Sequence, residues 1–281
     1  MGERGPDRTI EDVRRFWEEN PLFGGESKHP RGSREFFEEH RRTCLEDVYA
    51  GEFDRRFFPP EENREGVLDL GCGPGFWPIE LWERGCREIT IADLTETALA
   101  LAEVRCGLYG VPVTASLQNA EKLTFADASF RHVNCQGVIH HTPETAAAVA
   151  EIARVLRPGG TASISVYYRN LFLRHWDLLR GIGRLLDRLG GGLRGRGREG
   201  IFAVTEVDEI VRLYDGRENP IGKSFTREQF VSLLSPHFEV LEVFFHFFPA
   251  RALPFRVPRA LHKFLDRNVG FMIFATVRKP R

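Results

Sequence analysis

The stretch that most restricts what this chain can fold into is residues 65–77, EGVLDLGCGPGFW. Val67, Leu68 and Leu70 form a short apolar run, the pattern of a strand covered on both faces, and it ends abruptly in glycine. Gly71, Gly73 and Gly75 remove every second Cβ, so the backbone can turn left-handed and a ligand can approach main-chain N–H groups closely. Pro74 stiffens the turn before a helix expected from Phe76. A dinucleotide fingerprint starting at Gly71 would need glycine at its sixth position, where Phe76 stands. A phosphate-binding P-loop would need Gly-Lys-Ser/Thr, and no lysine lies between Lys28 and Lys122.

What is left is Asp-x-Gly-x-Gly-x-Gly, with Asp69 two residues ahead of the first glycine. A second strand, Ile89–Ala92, ends at Asp93, where a carboxylate can accept both hydroxyls of a ribose. DLGCGPG followed by IADL resembles the class I S-adenosylmethionine-dependent methyltransferases, in motifs spread from about Gly66 to Gly160. The resemblance implies an α/β fold, a doubly wound and mostly parallel seven-stranded sheet, with S-adenosyl-L-methionine as cofactor. It implies a binding set of Asp69, Gly71, Cys72, Gly73, Gly75, Asp93, Leu94, Asn119, Ala120, Gln136 and Gly137. At Asn119 the family usually has an aspartate facing the adenine amine; asparagine can still accept through its side-chain oxygen.

The alternation continues along the chain. A helix is expected from Phe76 to Glu83, a helix from Thr97 to Leu108, strands over 111–117, 131–137 and 161–167, and an alanine-rich helix from Glu144 to Leu156. Ligands of such sheets bind at the carboxyl ends of the strands, which gathers His140, His141, Tyr167 and Tyr168 near one mouth. Helices are also expected at 202–214, 226–234 and 259–267, and strands at 238–248 and 271–277. The resemblance places the last strand antiparallel between the fifth and sixth.

Two segments decorate this core. Residues 1–60 read as an N-terminal helical cap, with Ile10, Val13, Phe16 and Trp17 on one face and Phe36, Phe37, Cys44, Leu45 and Val48 in a second run. The methyltransferase domain would then occupy 61–281, with a helical insertion at about 169–222. Within residues 169–200 eight arginines face Asp177, Asp187 and Glu199. Leu171, Leu173, Trp176, Leu179, Ile182, Leu186 and Leu189 recur at helical spacing there. Gly190–Gly192 and the Arg/Gly run behind them read as a loop. Such an insertion suits a substrate lid, a peripheral membrane contact through 169–198, or a dimer contact.

Composition bounds the partners. The chain has 281 residues, 42% hydrophobic and 28% charged, with a net charge of −1. That is ordinary globular composition and argues against a protein held to nucleic acid by overall charge. An exocyclic-amine methylase would want Asp/Asn-Pro-Pro-aromatic after the fourth strand, where Gly137-Val138-Ile139-His140 stands. A cytosine C5 mechanism would want Pro-Cys, and the chain has none. Five cysteines in no ligand spacing predict reduced thiols, a cytoplasmic setting and no metal site. With these exclusions, the resemblance implies in-line methyl transfer to a small-molecule acceptor, with His141 and His140 as base or orienting groups and Tyr168, Tyr167 and His246 as further candidates. A membrane-surface enzyme acting on a quinone or lipid, and an adenosyl-binding protein without transferase activity, are the competing expectations.

Overall fold

The computed structural model describes residues 8–188, 201–250, 253 and 255–281. Among these, β1 (Glu65–Leu70), β2 (Arg87–Asp93), β3 (Val113–Leu117), β4 (Phe130–Gln136), β5 (Leu156–Tyr168), β7 (Glu239–His246) and β8 (Met272–Arg278) make one sheet in the order β3-β2-β1-β4-β5-β8-β7. The first five are mutually parallel, and β8 runs antiparallel to both β5 and β7. A two-residue strand, β6 (Ser224–Phe225), pairs with the carboxyl end of β5. The expected seven-stranded, doubly wound sheet is thus present, with β6 added by the insertion. β5 also starts earlier than expected, because Arg157–Gly160 passes as an irregularity between the Phe130–Leu156 and His132–Thr161 pairs.

Strand parity explains the two layers of core. Leu68 and Leu70 of β1, Val133 and Cys135 of β4, and Ala162, Ile164 and Val166 of β5 all point to one face. There α5 (Thr145–Val155) covers them through Ala148, Val149 and Ile152, and α9 (Arg227–Leu234) through Phe230 and Leu234. Val67, Ile89 and Ile91 point to the other face, under α3 (Phe76–Glu83) and α4 (Glu96–Tyr109). That second face also carries a buried polar band: Asp69, His132, Asn134, Thr161, Ser163 and Ser165 are all at most 1% exposed. Polar groups so placed must bond to one another, and His132 does so with Thr161 (Nδ1 to Oγ1 2.9 Å).

The N-terminal segment forms α1 (Ile10–Glu19), started by a reciprocal Thr9–Asp12 capping box, and α2 (Arg34–Thr43), capped by Ser33 and continued by a π-turn over Cys44–Val48. In the insertion the expected single helix is two: α6 (Leu171–Arg174) and α7 (Trp176–Arg188), broken at His175. The break changes the phase of the apolar stripe. Leu173 and Trp176 are buried, while Leu171 and Ile182 are exposed. Leu189 and the glycine-arginine run after it lie outside the described residues. The expected helix over 202–214 is a short turn at Ile201–Ala203 followed by α8 (Val207–Tyr214), and α10 (Arg259–Val269) precedes β8. All five cysteines are free, and no helix among the described residues is long and apolar enough to cross a membrane.

Candidate cofactor and acceptor site

At the carboxyl end of β1 the chain turns back so tightly that the N–H groups of Gly71 and Cys72 both donate to Ala92 O, at 2.7 and 3.0 Å. Gly71 has φ +75°, and a Cβ there would lie 2.2 Å from Val138; Gly75 has φ +72°, and a Cβ there would lie 2.9 Å from the Ala102 Cα. Glycine at these two places is therefore a steric requirement of the turn and of the α3–α4 packing. Gly73 N–H donates to Asp93 Oδ2 at 3.0 Å, while Thr95 donates to Oδ1 through both its N–H (3.0 Å) and its hydroxyl (2.9 Å). Burial raises the Asp93 carboxyl, and these donors pull it back. A carboxylate has about four acceptor positions, so room for a sugar hydroxyl stays on Oδ2.

Below the turn a chain of side chains crosses the polar band. Asn134 Nδ2–H donates to Asp69 Oδ1 at 2.6 Å, and Gln136 Nε2–H donates to Asn134 Oδ1 at 2.9 Å. Two buried acceptors on this chain, Asp69 Oδ2 and Gln136 Oε1, have no partner. Burial raises Asp69 to about 7, the Asn134 bond lowers it, and Asp93 adds to the rise. Orphaned acceptors beside a left-handed glycine turn want a ligand that brings N–H donors and positive charge, which an adenosyl amino acid with an ammonium group does. The residues present fit such a group.

Cover for this end of the sheet comes from α1. Thr95 is the N-cap of α4 but gives its hydroxyl to Asp93, so the first donors of the helix need another acceptor. Glu18 supplies it: its carboxylate accepts from Glu96 N–H at 3.0 Å and Thr97 N–H at 2.9 Å, and bonds the Thr97 hydroxyl. Although burial opposes it, these bonds hold Glu18 below the usual carboxylate range. Past α1, Leu22 lies 4.0 Å from where a Gly73 Cβ would be. On the other side, Trp17 packs edge-on against His141 with ring centroids 5.2 Å apart.

His141 follows β4 in a 3-10 turn (Ile139–His141) and is 6% exposed. Its Nδ1 lies 2.7 Å from Ile221 O, and since a carbonyl only accepts, Nδ1 carries the proton. Nε2 is left facing Asp215 Oδ2 at 3.5 Å. The same oxygen accepts from the Tyr167 hydroxyl at 2.9 Å and from Asn219 Nδ2–H at 3.4 Å. Four segments meet here: α1, the turn after β4, the end of β5, and the 215–221 loop of the insertion. Lys223 fastens that loop, donating from Nζ to Thr142 O, Pro143 O and Thr145 Oγ1 at 2.8, 2.6 and 3.1 Å.

Residues 67–160 match the family of the methyltransferase domain. Over 105 residues the chain is 35% identical to a ubiquinone biosynthesis O-methyltransferase of Hahella chejuensis, covering 37% of this chain and 44% of that one. An uncharacterised protein of Synechococcus is 34% identical over 151 residues, 53% of this chain and 35% of the relative. The chain thus spans less than half the length of these curated relatives. In fold it is similar to a SAM-dependent methyltransferase of Methanosarcina mazei (TM-score 0.52, 22% identity, 77% of this chain and 92% of that one). It is likewise similar to the cyclase SpnF (TM-score 0.53, 15% identity, 98% of both chains). Residues 67–160 carry a methyltransferase domain, on the fold shared with S-adenosylmethionine-dependent methyltransferases.

Within the methyltransferase domain the structure gathers Asp69, Gly71, Cys72, Gly73, Gly75, Asp93 and Leu94 around the glycine turn. Gln136 and Gly137 lie beside them at the end of β4. Asn119 and Ala120 follow β3; Asn119 Oδ1 already accepts from Glu121 N–H at 3.0 Å, which fixes its loop. His140 is 1% exposed, packs 4.3 Å from the Tyr167 ring, and is pushed well below the usual histidine range by burial and by His141. Tyr168 is not brought to the histidines: it points to the opposite face of the sheet, 4.6 Å from the Phe245 ring. His246 is also elsewhere, between Asp266 (Nδ1 to Oδ2 2.5 Å) and Asp54 (Nε2 to Oδ2 3.3 Å). Sequence reading missed Glu18, Asp215 and Asn219. The parity of β5, polar at Ser163 and Ser165 and apolar at Ile164 and Val166, was the available signal that Tyr167 shares the band with Gln136.

Proposed function

We propose that this protein transfers a methyl group from S-adenosylmethionine to a small-molecule acceptor held between Trp17, His141, Tyr167 and Asp215. When bound, the cofactor supplies an electrophilic methyl on a sulfonium. The chain's own residues do the rest. Asp69 and Gln136 offer the ammonium group two unfilled acceptors, and Asp93 offers the ribose its second oxygen. The observation that carries the acceptor side is the His141 arrangement: Ile221 O fixes the proton on Nδ1, so Nε2 is the ring atom able to orient or take an acceptor proton. A proton arriving there lands 3.5 Å from the Asp215 carboxylate, already held by Tyr167 and Asn219. Alignment of nucleophile and departing sulfur supplies much of the remaining rate. Five free thiols accord with a cytoplasmic setting.

The test is incubation of the full chain with a metabolite extract and S-adenosylmethionine labelled in its methyl carbon. A labelled small molecule that disappears with His141→Gln supports the reading. Binding of the cofactor by calorimetry with no labelled product from any extract would overturn transfer and favour a binding role. The likeness to SpnF, a cyclase on the same fold, makes that the reading to exclude.

A further inference from the structure

Among the described residues, one face of the insertion has no counterpart inside the fold. α7 is held to the body by Trp176, whose ring stacks on Phe202 at 5.7 Å and whose Nε1–H donates to Val204 O at 2.8 Å. Gly183 lets the same Phe202 ring lie against the helix, since a Cβ there would be 2.1 Å from it. The opposite face carries Leu178, Ile182 and Leu185, exposed by 70, 52 and 59%. Their spacing, four and then three residues, puts them in one stripe along the helix. Exposed Arg188 lies along one edge of the stripe, next to Arg184, which is exposed although its Nε–H donates to Phe202 O at 2.8 Å. Residues 169–188 hold five arginines against Asp177 and Asp187, although the whole chain has a net charge of −1.

We propose that this face of α7 docks on an anionic lipid bilayer. The helix would lie in the plane of the interface with Leu178, Ile182 and Leu185 at the headgroup–acyl boundary and the arginines among the headgroups. A second protein fits the surface poorly: a stable protein interface needs about 800 Å² on each partner, far more than three side chains of one helix provide. A bilayer needs less, because an anionic surface adds about 1 kcal/mol for each nearby arginine. The proposal does not rest on catalysis, and its test uses no cofactor.

The experiment is co-sedimentation of the full chain with vesicles of phosphatidylcholine alone and of phosphatidylcholine with phosphatidylglycerol. Binding should need phosphatidylglycerol and weaken at high salt. It should fall about tenfold or more in the triple variant Leu178→Gln, Ile182→Gln, Leu185→Gln, which keeps good helix formers at exposed positions. An unchanged circular dichroism spectrum of the variant shows that folding is not what was lost. Wild-type protein left in the supernatant, or equal sedimentation of the variant, overturns the proposal. So does a wild-type dimer in light scattering that the variant turns into a monomer, which would assign the face to a second copy.

Discussion

At the scale of single residues the candidate site turns on a few buried polar atoms, Asp69 first among them. Asp69, raised to about 7 by burial, holds a proton in the cofactor-free protein that an unfolded chain would release near pH 4. The native state therefore binds more protons than the unfolded one between these values, and stability should decline as pH rises through that window. A cationic ligand acts oppositely, since it favours the ionised form. We predict that affinity for S-adenosylmethionine, measured by calorimetry, weakens as pH drops below 7, approaching about tenfold per pH unit. Asp69→Asn should bind more weakly and lose that dependence; the same slope in the variant would exclude Asp69 as its source. On the acceptor side, Asp215→Asn should lower kcat by about 10²-fold or more while leaving the cofactor Kd unchanged, because Asp215 touches His141 and not the glycine turn. A change confined to the Kd would place Asp215 on the wrong side of the site.

At the scale of elements, two contacts tie pieces far apart in sequence. Glu18 of α1 caps α4, so the cover is tied to the helix that begins beside Asp93. Glu18→Ala should remove about 0.5–2 kcal/mol of cap stabilisation. Hydrogen exchange in α1 should quicken, and the cofactor Kd should rise. Unchanged exchange in α1 would show that Trp17 and Leu22 suffice to hold it. The second contact joins β7, α10 and the segment before β1. His246 is buried, yet despite burial its two carboxylate partners raise it above the usual histidine value, while His246 and Arg56 hold Asp54 low against the same burial effect. Asp266 Oδ1 also accepts from Phe247 N–H and Phe248 N–H, at 2.7 and 3.2 Å. A raised histidine contributes stability that is complete below about pH 6.5 and is lost as pH climbs through its folded value. Thermal melts should therefore show a decline on the alkaline side of neutrality that His246→Asn lacks. Asp266→Ala should cost about 3–5 kcal/mol, since it strands a buried cation and two N–H groups.

At the scale of the whole molecule, most of the sheet was legible because β1, β2 and β8 carry short, largely apolar runs between helical stretches, and β1 is closed by the glycine turn. The glycine turn and Asp93 were legible because their chemistry is local. Glu18 and Asp215 were not. Helix-capping rules look three residues ahead, whereas Glu18 caps a helix 78 residues further on. Asp215 sits in a stretch rich in turn residues and reads as one of them, although its partners Tyr167 and His141 lie well upstream. The apolar stripe of the insertion reads as a single helix, whereas the break at His175 makes two, with Ile182 left exposed in the second. The order β5-β8-β7 has one more consequence. β7 pairs with β8 and with no other described strand, so residues 239–246 have no edge to join until residues 272–278 have been added between them and β5. During translation the right half of the sheet must wait for about thirty further codons, and a ribosome stalled in that interval would display Val243–Phe248 to chaperones and proteases.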